Sequence, residues 1–383
     1  MIKALEVPIV HSQDDMKTLR MEVREFLKQE HFDPKCDSWL GEFSPEFSRR
    51  LGERGWIGMT WPKIYGGHER SSMERFAVTE ELLAAGAPVL GHWIADRQSG
   101  PLLLRYGTEE QRRFFLPRIA RGECYFAIGL SEPNAGSDLA SLSTSARKTD
   151  KGWILNGSKL WTSGAHYCHY SIVLCRTRPR DPQNKHAGIS QLIVDLKAPG
   201  VTIRPIRLMT GEHHFNEVIF EDVFIPDSML VGVEGEGWKQ GLAELAFERS
   251  GPERILSTFP LLKELVGLLH ARAEQDRHAS IEVGKLISRL YTLRRMSLGV
   301  AKLLQDGVTP DIMAALVKDM GTKFESQIAE TARLLVSSAP SYDSASSYER
   351  RLAEAILHSP GFTLRGGTTE ILRGIISKGV MRA

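Results

Sequence analysis

Ser131-Glu132-Pro133-Asn134-Ala135-Gly136-Ser137-Asp138 closes an apolar run, Tyr125 to Leu130, at the point where the periodicity of the chain changes. By itself it is a polar turn after a strand, in which Gly136 lets the chain turn tightly while Ser131 and Ser137 offer hydroxyls. Lys159-Leu160-Trp161-Thr162-Ser163-Gly164-Ala165 follows in the same region and adds a large aromatic beside further hydroxyls.

Upstream of this stretch, from Asp14 to Ile119, the pattern is helical. Met16, Leu19, Val23 and Leu27 recur at three- and four-residue intervals, and a second helix is expected from Met73 to Ala85. Between them Trp56-Ile57-Gly58-Met59-Thr60-Trp61-Pro62, closed by Tyr65-Gly66-Gly67, reads as a loop whose two tryptophans serve packing. After Arg121-Gly122-Glu123 the runs become short and β-like: Tyr125 to Leu130, Trp153 to Leu155, Ser171 to Cys175, Ser190 to Val194 and Val218 to Phe220. Asp150-Lys151-Gly152 and Asn156-Gly157 read as turns between them. From Gly237 helical periodicity returns in Leu242 to Leu269, Ile281 to Leu304 and Ile312 to Val336, with a last helix beginning near Thr369. Ser337 to Tyr348 is expected to be a loose surface connection. The order α, β, α gives an α+β class and three domains, 1–124, 125–234 and 235–383.

Composition narrows the function classes. The 383 residues are 42% hydrophobic, enough for a substantial core, and the formal charge of +2 gives no electrostatic case for nucleic acid or an acidic membrane surface. The first residues do not read as a signal peptide, and no apolar run is long enough to span a bilayer, so the expected location is the cytoplasm, without membrane insertion. Cys36, Cys124, Cys168 and Cys175 form no Cys-x-x-Cys pair, which argues against a zinc ribbon or redox dithiol and fits reduced thiols. His213-His214 is the one histidine pair, but adjacent histidines on a strand point to opposite faces, and no metal site is expected.

Together the Ser131–Asp138 and Lys159–Ala165 stretches resemble the acyl-CoA dehydrogenase superfamily, through nearly the whole chain. The resemblance implies a helical N-terminal domain, a central β domain and a C-terminal four-helix bundle, with FAD as cofactor. It implies flavin contacts from Leu130, Ser131, Gly136 and Ser137, with Ser137 also near the thioester and CoA. Trp161 aligns with the residue that packs on the isoalloxazine ring and Ser163 with the one that hydrogen-bonds near N5. Thr368, Thr369 and Glu370 align with the stretch that meets the FAD nucleotide, and equally form an ordinary helix N-cap sequence.

Desaturation of an acyl thioester needs a carboxylate to remove the α-proton while hydride leaves Cβ for flavin N5. Many members carry that carboxylate just before Gly-Thr in the loop preceding the last helix, where this chain has Gly366. Isovaleryl- and long-chain-type members carry it on the first helix of the C-terminal domain. Counted from Gly235-Glu236-Gly237, that position falls on Glu248, with Arg249 after it on the substrate side. The expected catalytic groups are therefore Glu248 as base and the Gly366 N–H as donor to the thioester carbonyl. Arg97, beside Asp96, falls where family helices line the acyl pocket, as a recognition residue or half of a structural ion pair.

Homotetrameric members complete each FAD site with an Arg-x-x-Phe-Gly and a Gln-x-x-Gly-Gly-x-Gly segment from a neighbour. The corresponding stretches here, Arg277-His278-Ala279-Ser280-Ile281-Glu282 and Ser337-Ser338-Ala339-Pro340-Ser341-Tyr342, match neither. Heteromeric members acting on steroid side chains and other bulky acids share these gaps. The resemblance thus implies an acyl-CoA substrate, electron-transfer flavoprotein as acceptor, and a homo-oligomer or a heteromer with a related dehydrogenase subunit. The alternatives are a flavoenzyme of the same fold with another reaction, oxidation or desulfination, and a non-catalytic partner subunit.

Overall fold

The computed structural model describes Glu6, Pro8, Val10 and residues 14–241, 250–272 and 276–382. The chain begins with α1 (Asp14–Gln29), α2 (Pro45–Glu53), α3 (Ser72–Ala84), α4 (Leu90–Ile94), α5 (Gly100–Tyr106) and α6 (Glu109–Ala120). Eight strands follow: β1 (Phe126–Gly129), β2 (Ser145–Thr149), β3 (Gly152–Ser163), β4 (Tyr170–Arg176), β5 (Ile189–Asp195), β6 (Val201–Ile206), β7 (Phe215–Pro226) and β8 (Leu230–Val231). The C-terminal helices are α7 (Phe259–His270), α8 (Arg277–Gln305), α9 (Asp311–Leu335), α10 (Ser347–Phe362) and α11 (Thr369–Arg382). The helical, β and helical order expected from periodicity is the observed one. Among the described residues no helix is long and apolar enough to cross a membrane.

The chain forms two compact units, one of residues 1–41, 70–88 and 246–383, the other of 42–69 and 89–245. In the first unit α1 buries Met16, Leu19, Val23 and Phe26, so Phe26 rather than Leu27 ends the apolar stripe. A capping box starts α3: Ser71 Oγ accepts from Glu74 N at 3.1 Å and Glu74 Oε2 accepts from Ser71 N at 2.8 Å. Farther along α3, Glu80 and Glu81 are buried. Arg20 of α1 lies 2.7 Å from Glu80 and 2.8 Å from Glu81, and Arg294 of α8 lies 2.5 Å from Glu80, so three helices share one ion-pair network. The α10 helix was not legible in the periodicity. It begins directly after the connection at 337–346, where Glu349 gathers the Ser338 and Ser344 hydroxyls.

The second unit holds a sheet in the order β6-β7-β3-β2-β4-β5-β8, with β1 parallel to β4. Its core gathers Trp153, Leu155, Val173, Val194, Val218 and Phe220. Trp56 and Trp61 are 6% and 2% exposed, which bears out the packing reading of their loop. Asn156-Gly157, expected as a turn, instead lies inside β3 at a bulge against β7. Two features hold the bulge. Asn156 exchanges 2.9 Å bonds with Asp222, donating to its carboxylate and accepting from its N–H, and Gly157 has φ +137°, where a Cβ would lie 2.6 Å from Thr144 Oγ1.

Candidate active site

In the second unit the structure joins the two polar stretches that the sequence singles out. Leu160 N donates to the Ser131 carbonyl at 2.8 Å, and Lys159 Nζ donates to the Leu130 carbonyl at 3.0 Å and to Glu132 Oε1 at 2.7 Å. Glu132 also accepts from Ser143 N, Ser143 Oγ and Thr144 N, at 2.6, 2.8 and 3.0 Å. Burial alone would raise the Glu132 carboxyl, but the Lys159 ammonium and these donors outweigh it and hold it at about 2. Glu132 is thus ionised at neutral pH, while burial lowers the Lys159 ammonium and the facing Glu132 carboxylate opposes that shift. Sequence reasoning gave neither residue a role. The signal was a charge of each sign within two otherwise small and polar stretches.

The bend in the first stretch is made by Pro133 and Asn134, not by Gly136. Glu132 N donates to Ala135 O at 2.9 Å and Ala135 N to Glu132 O at 3.2 Å, which closes the turn before the glycine is reached. Gly136 takes no left-handed conformation, and a Cβ built on it would meet nothing within 4 Å. Ser137 is exposed beside it. Asp138 binds Lys185 at 3.0 Å.

Trp161 sits at a second irregularity of β3, where the register against β7 shifts between Lys159 and Thr162. Its φ is +60°, a left-handed conformation that costs a tryptophan about 1 to 2 kcal/mol. Its ring is 51% exposed and meets the Phe215 ring edge-on, with centroids 5.8 Å apart. Ser163, partly buried, pairs in register with Phe215.

Behind the bulge lies a polar cluster that the sequence did not reveal. Asn216, fully buried, donates to the Thr162 carbonyl at 3.0 Å, contacts His166 Nδ1 at 3.0 Å and contacts His213 Nε2 at 2.8 Å. The His166 and His213 rings stack with centroids 3.8 Å apart. Burial, reinforced by the neighbouring His213, lowers His166 to about 4, so it is neutral at pH 7. His213 and His214 lie just before β7, not on a strand, so the opposite-faces argument did not apply to them. A usable signal was Asn216 itself: it alternates with Val218 and Phe220 on the buried face of β7 and so requires polar partners.

Arg97 is buried in a π-helical turn, Ala95–Ser99, and its guanidinium lies 4.8 Å from the Trp93 ring. The neighbouring Asp96 carboxylate accepts from Gly58 N at 2.7 Å.

In the first unit Gly366 has φ +66°, a conformation suited to glycine. The preceding Arg365 forms a two-pronged pair with Asp37, at 2.5 Å on each side, and lies over the Trp39 ring at 4.4 Å. The Gly367 carbonyl accepts from the buried Lys318 at 2.7 Å. Thr368 acts as the N-cap of α11, its Oγ1 accepting from Ile371 N at 3.4 Å, with Thr369 and Glu370 in the first turn. Glu248 and Arg249 lie outside the described residues.

Comparison with known proteins shows the family. Three family models cover the chain: the acyl-CoA dehydrogenase N-terminal domain at residues 13–123, the middle domain at 127–223 and the C-terminal domain at 235–381. Among curated relatives, acyl-CoA dehydrogenase FadE34 of Mycobacterium tuberculosis is 36% identical over 86% of this chain, which spans only 45% of that protein. Acyl-CoA dehydrogenase IpdE1 of the same organism is 33% identical over 88% of this chain and 86% of its own. Among solved structures, the Tcur3481-Tcur3483 steroid ACAD superposes with a TM-score of 0.87 at 27% identity, covering 97% of this chain and 98% of that one. The ChsE4-ChsE5 complex from Mycobacterium tuberculosis gives 0.84 at 28% identity, over 98% and 99%. On these matches and on the α, β, α architecture, the chain belongs to the acyl-CoA dehydrogenase family.

Proposed function

We propose that the chain is an FAD-dependent acyl-CoA dehydrogenase that desaturates an acyl-CoA thioester between Cα and Cβ. Trp161 carries the reading. A large indole half exposed to solvent, on a backbone that is costly for any residue with a Cβ, is explained by a planar ligand packed against it. The surroundings fit a flavin. Gly136 leaves open space for close approach, and Thr162 Oγ1 is a buried hydroxyl with no protein partner beside the bulge. Leu130, Ser131, Gly136, Ser137, Trp161 and Ser163 would hold the ring system and its flank, with Thr368, Thr369 and Glu370 at the nucleotide. Bound FAD supplies the acceptor for the hydride that leaves Cβ.

The remaining chemistry belongs to the chain. Glu248 removes the α-proton, and the Gly366 N–H donates to the thioester carbonyl as negative charge develops there. The Asp37–Arg365 pair fixes the residue before Gly366 and so limits the wander of that donor. Arg249 and Arg97 are assigned to substrate binding in this reading. A base at position 248 rather than at 366, together with likeness to a structure named as a steroid ACAD, favours a bulky acyl chain. Electrons pass to an electron-transfer flavoprotein, a related dehydrogenase chain completes the assembly, and the enzyme works in the cytoplasm through domains 1–124, 125–234 and 235–383.

The test is anaerobic titration of the purified protein with acyl-CoA thioesters of increasing bulk, following flavin absorbance. Bleaching by a bulky acyl-CoA supports the assignment. A flavin that no acyl-CoA bleaches points to another reaction or to a non-catalytic subunit. Glu248→Gln should keep the flavin and bind acyl-CoA while slowing reduction by several orders of magnitude, because an amide does not take the proton. Near-normal reduction by that variant removes Glu248 from the mechanism.

A further inference from the structure

We propose that Asn216 is a positioning residue for Trp161, a role that rests on the flavin reading of the Trp161 face. The bulge at Trp161 breaks the β3–β7 ladder between Lys159 and Thr162, so the backbone there lacks the regular pairing that fixes a strand. Asn216 stands opposite Thr162 in the register and replaces that pairing with its side chain, donating to the Thr162 carbonyl at 3.0 Å. The next residues of β3 are held in turn by Gly164 N donating to the His214 carbonyl at 2.8 Å.

The amide is fixed at all its polar positions used here. With Nδ2 on the Thr162 carbonyl, its second hydrogen goes to His166 Nδ1, and Oδ1 accepts from His213 Nε2. His166 is then neutral with its proton on Nε2, in keeping with its lowered pKa. Asn216 is fully buried, so water does not replace any of these bonds. The amide therefore braces the carbonyl that follows the left-handed residue, and the same β7 segment supplies Phe215, against whose ring the indole edge rests. One short segment sets both the backbone and the ring stance of Trp161.

A double-mutant cycle on the FAD dissociation constant, read by flavin fluorescence on protein stripped of cofactor and titrated with FAD, tests this. Asn216→Ala should weaken FAD by roughly ten-fold or more and leave the bound flavin less quenched. In a Trp161→Ala background the same substitution should change the constant by less than about two-fold, because the residue it acts through is gone. Asn216→Asp, nearly isosteric but unable to donate, serves the same cycle if the alanine variant does not fold. FAD binding within two-fold of the parent, or an equal loss with and without Trp161, overturns the proposal. A parent that binds no FAD either alone or co-expressed with a related dehydrogenase chain instead defeats the flavin reading and this inference with it, which is distinct from a parent that binds and a variant that binds equally.

Discussion

Lys159 Nζ lies 2.7 Å from Glu132 Oε1 with the lysine side chain fully buried, so each of the two polar sequence stretches supplies one half of an ion pair. Removing one partner leaves the other charged in the interior, at a cost of about 3 to 5 kcal/mol. Lys159→Met should show that loss in urea unfolding at pH 7. Glu132 in the folded protein titrates near 2, below its ordinary 4.5, so its stabilising contribution is full above about pH 4.5 and lost as pH falls through 2. Without the ammonium that window moves upward, and Lys159→Met should unfold in acid at a higher pH than the parent. Unchanged urea and acid midpoints would show the pair to be dispensable.

Glu325 on α9 carries the opposite shift. It is 1% exposed, its Oε1 accepts from Ser257 N at 2.7 Å, and its Oε2 has no hydrogen-bond partner. Burial pushes it to about 7, against the Ser257 donors and the Arg365 charge, which lower it. A carboxyl raised in the folded state contributes stability that is present below pH 4.5 and lost as pH rises through 7. Glu325→Gln keeps the acceptor for Ser257 and removes the titration. The variant should gain on the parent as pH rises from 5 to 8, by up to about 3 kcal/mol in urea unfolding. Parallel stability profiles for the two proteins would refute the shift.

Local pattern reported the elements well where one face of each was apolar, as in α1 and in the alternation of β7, and failed where the reason for a structure was a partner distant in sequence. Asn156-Gly157 has turn chemistry, yet Asp222 supplies the bonds that keep it in a strand. Gly136 has the residue type for a tight turn, yet Pro133 and Asn134 make it. The motif singles out Trp161, but it shows neither the left-handed backbone there nor the Asn216 side chain that bonds the next carbonyl from across the sheet, and Arg365 pairs with the distant Asp37. Such pairings are set by tertiary approach, which no window of sequence contains.

Trp161→Ala separates display from packing. The ring is half exposed and its backbone is strained, so its removal should change unfolding stability by less than about 1 kcal/mol while sharply reducing flavin retention through gel filtration. A large loss of stability with flavin held as before would assign the indole to the core instead.

The last expectation concerns assembly. A neighbour's pyrophosphate would need donors from the start of α8 or from the 337–346 connection, and both are already occupied. Asp276 caps α8, accepting from His278 N at 2.8 Å and Ala279 N at 3.1 Å, so a carboxylate fills the position where an anion would bind. In the connection, the Ser338 and Ser344 hydroxyls go to Glu349. The same helix leaves Ile287 and Tyr291 exposed, one turn apart, as apolar surface suited to a covering chain. Each charge-assisted bond missing from a pyrophosphate forfeits about 1.5 to 3 kcal/mol, which is roughly ten- to a hundred-fold in affinity. The chain expressed alone should therefore hold less than one FAD per chain, and co-expression with a related dehydrogenase chain should bring occupancy to completion. Light scattering with the ratio of flavin to protein absorbance measures both quantities at once. A homotetramer with one FAD per chain would overturn this, and other residues of the chain would then have to grip the pyrophosphate.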